Sequence, residues 1–279
     1  MEAGSARRAT EGGNHGCVPG TLALSVRGNN LTARHRGRRY PWPTMPASAE
    51  TGLVRQLSRA RALHDARAAS PHLAARLDGL AAWQARRLNA TYADLARAPR
   101  YAPAIAFFRS DLYAPGGFSR RDADLERVVP IMTRVLAARV IATIAQAMEL
   151  SALSHELDQA LLGKLDPVAP LSVPAYCDAY RSLSNRGERE RQIGLIVEVG
   201  RALDRYVGKP LLRSSLAAMR HPARAAGLGA LQAFLERGFG AFRAMRGAGE
   251  FLASVQTRET AVMDAIFAGD RAPFPDPEA

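Results

Sequence analysis

Very little in this sequence points to chemistry of its own. Only two cysteines occur in 279 residues, Cys17 and Cys177. No disulfide framework and no cysteine-rich zinc site can be built from that pair. Such sparing use fits a reducing compartment, and the expectation is a cytoplasmic protein. No apolar run reaches the roughly 18 residues that a membrane-spanning helix needs, so no membrane partner is expected. The weakly apolar stretch from Val18 to Val26 is interrupted by Gly20 and does not read as a signal peptide. Alternating apolar and polar runs of strand length are missing, as are repeats of fixed period. Also missing are a phosphate-binding Gly-rich loop, a dinucleotide fingerprint and a nucleophile elbow.

Lysine is nearly absent too. Lys164 and Lys209 are the two lysines among 38 basic residues, so the other 36 are arginine. With 26 acidic residues the formal charge is +12. An excess of this size can serve a polyanion such as nucleic acid. The plainer reading is compositional: abundant Arg and Ala follow a GC-rich coding sequence, and acids are interleaved with the arginines along the body. A nucleic-acid role is kept as a second alternative.

What is present is helical periodicity. Residues 1–44 lack it; they are rich in Gly, Asn, Arg and Pro and carry seven arginines against Glu2 and Glu11. Segment 1–47 is expected to be a disordered arm, or an extension preceding a natural start at Met45. From Ser48 apolar residues recur at helical spacing. The first helix spans 48–69. A second, with Ser70 as N-cap and Pro71 at its first position, runs to Arg97, with Arg76, Arg86, Arg87, Asn89 and Asp94 facing solvent. A short third helix carries Ile105 to Tyr113, and Pro115-Gly116-Gly117 makes a turn. Ser119 caps a helix that Pro130 disturbs before Leu150. Ser151 opens another, reaching Lys164. Helices follow at Pro174–Leu183, after Gly187 to Val207, at 211–220, from Leu228 to Met245 and from Phe251 to Phe267. His221-Pro222 stops one of them. Residues 271–279 read as a disordered tail. The expectation is all-α: a single globular multi-helix bundle over 48–270, with about nine to eleven helices. Phe234, Phe239 and Phe242 are expected to join its core with the last helix.

Three groups of residues invite a chemical reading. Asp111, Asp122, Asp124 and Glu126 sit among Arg120, Arg121 and Arg127, beside Tyr113 and the Gly-rich turn. This is the densest polar chemistry in the chain, although Asp122 and Asp124 in a first helical turn also offset a helix dipole. His155, in Ser-His-Glu-Leu-Asp, lacks the second histidine of a zinc-protease motif, because position 159 is Gln. It also lacks the Glu three residues before it that a di-iron bundle needs. A single proximal histidine suffices for haem, so a haem-type protein or an enzyme using His155 and the acids from Asp111 to Glu126 is the alternative reading. Cys177, between Tyr176 and Tyr180, has no base near it in sequence and reads as a buried thiol.

The segments FFRSDLY (Phe107–Tyr113), FSRRDADLERVVPIM (Phe118–Met132) and ALSHELD (Ala152–Asp158) resemble a bacterial family named for a Phe-Phe-Leu-Glu-Glu-Leu-Tyr (FFLEELY) motif. The stretches RERQIGLIVEVGRALDRYV and ARAAGLGALQAFLERGFGAFRAMRGAGEFLA resemble it as well, so the likeness spans roughly residues 50–270. Arg109, Ser110 and Asp111 stand where the motif has Leu-Glu-Glu, so the resemblance carries no pair of catalytic acids across. It implies a helical body and supplies no reaction, cofactor or metal.

The leading expectation is therefore a factor that binds a protein or small molecule without catalysis. If it has a ligand site, the site comprises Asp111, Tyr113, Arg120, Arg121, Asp122, Glu126 and His155. Deleting residues 1–44 should leave the thermal midpoint unchanged. A drop of several degrees, equivalent to about 1 kcal/mol in a chain of this size, would make the arm part of the fold.

Overall fold

Apolar stripes at helical spacing must be buried against one another, and eleven α-helical segments do this among the described residues. The computed structural model describes residues 47–112, 124 and 137–278; side chains are described from residue 51, except those of 111 and 112. The helices are α1 (Ala47–Ala69), α2 (Pro71–Thr91), α3 (Ala93–Arg97), α4 (Ala102–Phe107), α5 (Ala138–Leu162) and α6 (Val173–Ser182). They continue with α7 (Arg186–Val207), α8 (Pro210–Ala218), α9 (Arg220–Ala225), α10 (Gly229–Ala244) and α11 (Gly249–Ala268). A π-helical turn, Phe108–Leu112, extends α4. The described residues contain no strand.

Helix α5 lies against α1 on one side and α7 on another, and α7 lies against α11. Leu53, Ala60, Ile141 and Met148 fill the α1–α5 seam. A larger cluster joins Leu77, Leu80 and Trp83 of α2 to Tyr176, Cys177 and Tyr180 of α6 and to Met263 and Ile266 of α11. A third gathers Tyr92, Ala104, Phe242, Met245, Phe251, Leu252 and Val255. Helix α7 approaches α11 closely at Gly200, where an added Cβ would stand 2.4 Å from Leu252 Cδ2.

Several expected boundaries move. The second helix does not run unbroken to Arg97. Tyr92 leaves helical geometry, its hydroxyl donates to Glu259, and Arg258 donates to the Thr91 carbonyl, so α11 ends α2 early. Ser151 opens no helix: it is buried inside α5, and no Gly or Pro between Pro130 and Gly163 interrupts the chain there. Pro222 sits in the first turn of α9, where proline's missing N–H costs no helical hydrogen bond. Arg87 faces the interior, not solvent, and pairs with Glu259 at 2.8 Å. The helix expected from Ser119, with its break at Pro130, lies outside the described residues apart from Asp124, which is helical and buried.

The end of the chain also differs from a disordered tail at 271–279. Gly269, at φ +103°, closes α11, and the amides of Gly269 and Asp270 reach back to the carbonyls of Ile266 and Ala265. The segment then turns so that Phe274 is buried against Trp83 and Tyr176. Proline breaks a helix interior but does not exclude packing.

Of the three α10 phenylalanines, Phe242 is buried in the core, while Phe234 and Phe239 are half-buried. Phe242→Ala should destabilise the fold by about 3–5 kcal/mol in denaturant titration. Phe239→Ala should cost clearly less, under about 2 kcal/mol, because part of the ring's surface already meets water.

Candidate anion-binding cleft

Most arginines with described partners hold a carboxylate. Arg59 pairs with Glu156, Arg67 with Asp78, Arg191 with Glu149, Arg220 with Glu236 and Arg258 with Asp94. A shallow cleft of about 350 Å³ shows the result. Its two cations, Arg59 and Arg191, are both already neutralised.

A second cleft, of about 540 Å³, is different. It lies where the end of α7 and the start of α8 meet the end of α10 and the turn before α11. Its floor is buried Phe242, and its rim carries Lys209, Arg213, Arg243 and Arg246. None of these four has an ion pair among the described residues. The one acid in the lining, Asp204, is occupied: its carboxylate accepts the Ala248 N–H at 3.0 Å.

The turn bearing Arg246 is held from both sides. Arg100 donates to the Met245 carbonyl at 2.7 Å and to the Gly247 carbonyl at 3.1 Å, and its guanidinium also meets Glu250. Between these braces Arg246 has φ +50° and Gly247 φ +114°. Glycine takes that conformation freely; arginine does so at a cost of order 1 kcal/mol. A cation kept in a strained conformation on a braced turn is a feature that packing alone does not explain. The arrangement offers several unneutralised cations over an apolar floor, which suits an anionic group joined to an apolar body.

The expected site is largely beyond description. The side chains of Asp111, Tyr113, Arg120, Arg121, Asp122 and Glu126 lie outside the described residues. His155 is placed on α5, half-buried, with its Nδ1 2.9 Å from the Ser151 carbonyl one turn back. Cys177 is fully buried, and burial pushes its thiol up to about 12, far from the thiolate a nucleophile needs. Among the described residues no three His, Cys, Asp or Glu side chains converge to hold a metal.

One signal for the basic cleft was available in the sequence. From Arg205 to Leu235 there is no Asp or Glu, while Arg205, Lys209, Arg213, Arg220 and Arg224 all fall there. A charge count over the whole chain hides this acid-free stretch.

Near His155, Asp158 accepts a hydrogen bond from Gln84 at 2.9 Å. Desolvation raises its pKa, outweighing that hydrogen bond and the charges of Arg189 and His155. A raised folded pKa means the carboxyl's contribution to stability is complete below the unfolded value and lost as pH rises through the folded one. Asp158→Asn should therefore gain stability over wild type as pH rises from the ordinary carboxylate range toward neutrality, with no gain at the acid end. Denaturant midpoints across that range check it; a difference that does not change with pH would refute it.

No curated protein and no solved structure matches the chain. One family model does, described as Domain of unknown function (DUF8198), and it matches residues 63–273. That match takes in every element of the basic cleft and most of the helical body, and the chain therefore belongs to this family.

Proposed function

We infer that this chain is a non-catalytic binding protein whose α7–α10 cleft receives an anionic group of a protein partner. The observation that carries this reading is the set Lys209, Arg213, Arg243 and Arg246, unpaired among the described residues in a chain whose other cleft has its cations neutralised. A protein partner is favoured by what stands beside the cleft. Helix α8 buries none of its side chains, Leu211 is 82% exposed, and Met219 follows the helix, also exposed. Apolar side chains next to free cations match an acidic, partly apolar segment.

The acid-free stretch also favours a second reading, binding of nucleic acid. Phosphate neutralisation would give a steep fall of affinity with salt. The cluster Asp111, Tyr113, Arg120, Arg121, Asp122, Glu126 and His155 stays a separate proposal for a small ligand, and with it the haem-type alternative through His155. The likeness to the FFLEELY family supports a bacterial origin, and sparing cysteine use supports work in the cytoplasm. No described helix is long and apolar enough to cross a membrane.

A fluorescein-labelled decaglutamate peptide, followed by anisotropy at low salt, tests the cleft. The triple change Lys209→Ala, Arg213→Ala and Arg243→Ala should weaken binding at least about tenfold, near 1.4 kcal/mol. Arg191→Ala, removing a cation already paired, should change it little. Equal affinity of the triple variant and wild type would discard the cleft. Arg246→Gly gives a second test: the melting point should rise by a few degrees as backbone strain of about 1 kcal/mol is relieved. Binding of the peptide should weaken at the same time, and a variant that gains stability with unchanged binding would remove Arg246 from the site.

A further inference from the structure

The C-terminal segment covers a part of the core that is chemically richer than its occupant requires. Phe274 is 7% exposed and meets Trp83 edge-on, with centroids 6.1 Å apart, and Tyr176 at 6.0 Å. Trp83 and Tyr176 stack at 4.9 Å, and the Arg87 guanidinium lies 4.8 Å from the Phe274 ring centre. Arg87 and Trp83 are both more than nine-tenths buried. Yet Trp83 Nε1 and Arg87 Nε have no hydrogen-bond partner among the described residues. Buried donors left unpaired are costly, and a phenyl ring supplies no acceptor of comparable strength.

The segment is lightly fastened apart from that ring. Arg271 meets Asp178 and Arg86 meets Glu278, both at 2.6 Å and both at exposed positions where ion pairs contribute little. Asp270 and Asp276 close local turns within the segment through the amides of Ala272 and Glu278. Among the described residues, no backbone hydrogen bond joins 271–278 to a helix.

The geometry points to a ligand site beneath this strap, with Phe274 as its resident plug. The seat takes a planar aromatic ring carrying a neutral acceptor oxygen at its edge, as in an aryl ketone or amide. Ring size follows from the phenyl group now there, and the acceptor follows from the two unpaired N–H groups. Neutrality follows from Glu259, which already accepts two contacts from Arg87 Nη1, at 3.0 and 2.8 Å, and one from the Tyr92 hydroxyl, at 2.7 Å. With the Arg87 charge so matched, a carboxylate in the seat would face Glu259 with that cation already spent. This site is independent of the basic cleft.

The test uses the full chain and two probes of one shape, acetophenone and α-methylstyrene, which differ by a carbonyl oxygen against a methylene. In calorimetry, Phe274→Ala should bind acetophenone at least about tenfold more tightly than α-methylstyrene, the weight of satisfying a buried donor. It should also bind acetophenone more tightly than wild type does, because the plug is gone, and benzoate should bind more weakly than acetophenone. In wild type, acetophenone should speed amide hydrogen exchange of residues 270–278 by lifting the strap. If α-methylstyrene binds as well as acetophenone, the seat is only an apolar cavity with its donors turned to buried water, and the proposal is overturned. If Phe274→Ala does not fold, the exchange measurement decides: unchanged exchange at the highest soluble acetophenone concentration overturns it equally.

Discussion

The burial of one face of α11 holds the described body together. Phe251, Leu252 and Val255 belong to one core cluster, Met263 and Ile266 to another, and Glu259 lies between them. Glu259 receives the buried Arg87 and the Tyr92 hydroxyl, so the polar centre of the helix is matched where its apolar ends are packed. The helix can lie so close to α7 because Gly200 has no side chain opposite Leu252. Buried charge of this kind is weak evidence for net stability, but removing one partner strands the other at high cost. The pair thus acts as a register mark, set by which residue of α11 faces Arg87.

The same closeness places the cleft. With α11 held against α7, Asp204 reaches the amide that begins α11, and the turn before it is pinned beside the α7–α8 corner. Elsewhere on the surface many arginines are held by carboxylates, most at exposed positions where each pair contributes little to stability. Their effect is on the electrostatic field: such pairs cancel charge where they form, while the cleft sets four cations without ion pairs among the described residues against the single acid Asp204.

Apolar spacing made the long helices legible. In α7 it runs through Ile193, Ile196, Val197, Gly200 and Leu203, and the Ser70-Pro71 start of α2 is readable from capping chemistry, with Ser70 Oγ accepting the Leu73 amide. What escaped reading depends on partners far away in the chain. Arg87 looks like a solvent-facing residue until Glu259, 172 positions on, is brought beside it. Phe274 looks like part of a proline-rich tail until Trp83 and Tyr176 form its seat. The cleft is built from residues within 204–213 and 242–247, two stretches that in the sequence show only helix ends on either side of a break. Local propensity describes where the chain turns, and only tertiary packing says what the turns face.

Arg100 belongs to none of the core clusters, yet its grip on two carbonyls of the 245–247 turn governs how the cleft would meet a partner. A loop that must be ordered on contact spends conformational entropy at that moment and makes binding slow and forgiving. This turn has its backbone entropy removed during folding, so only the Arg246 side chain is left to be ordered when an anion arrives. Encounter then becomes a matter of long-range attraction, fast at low ionic strength and slowed by added salt, while the lifetime of the complex depends on the contacts made at the apolar floor.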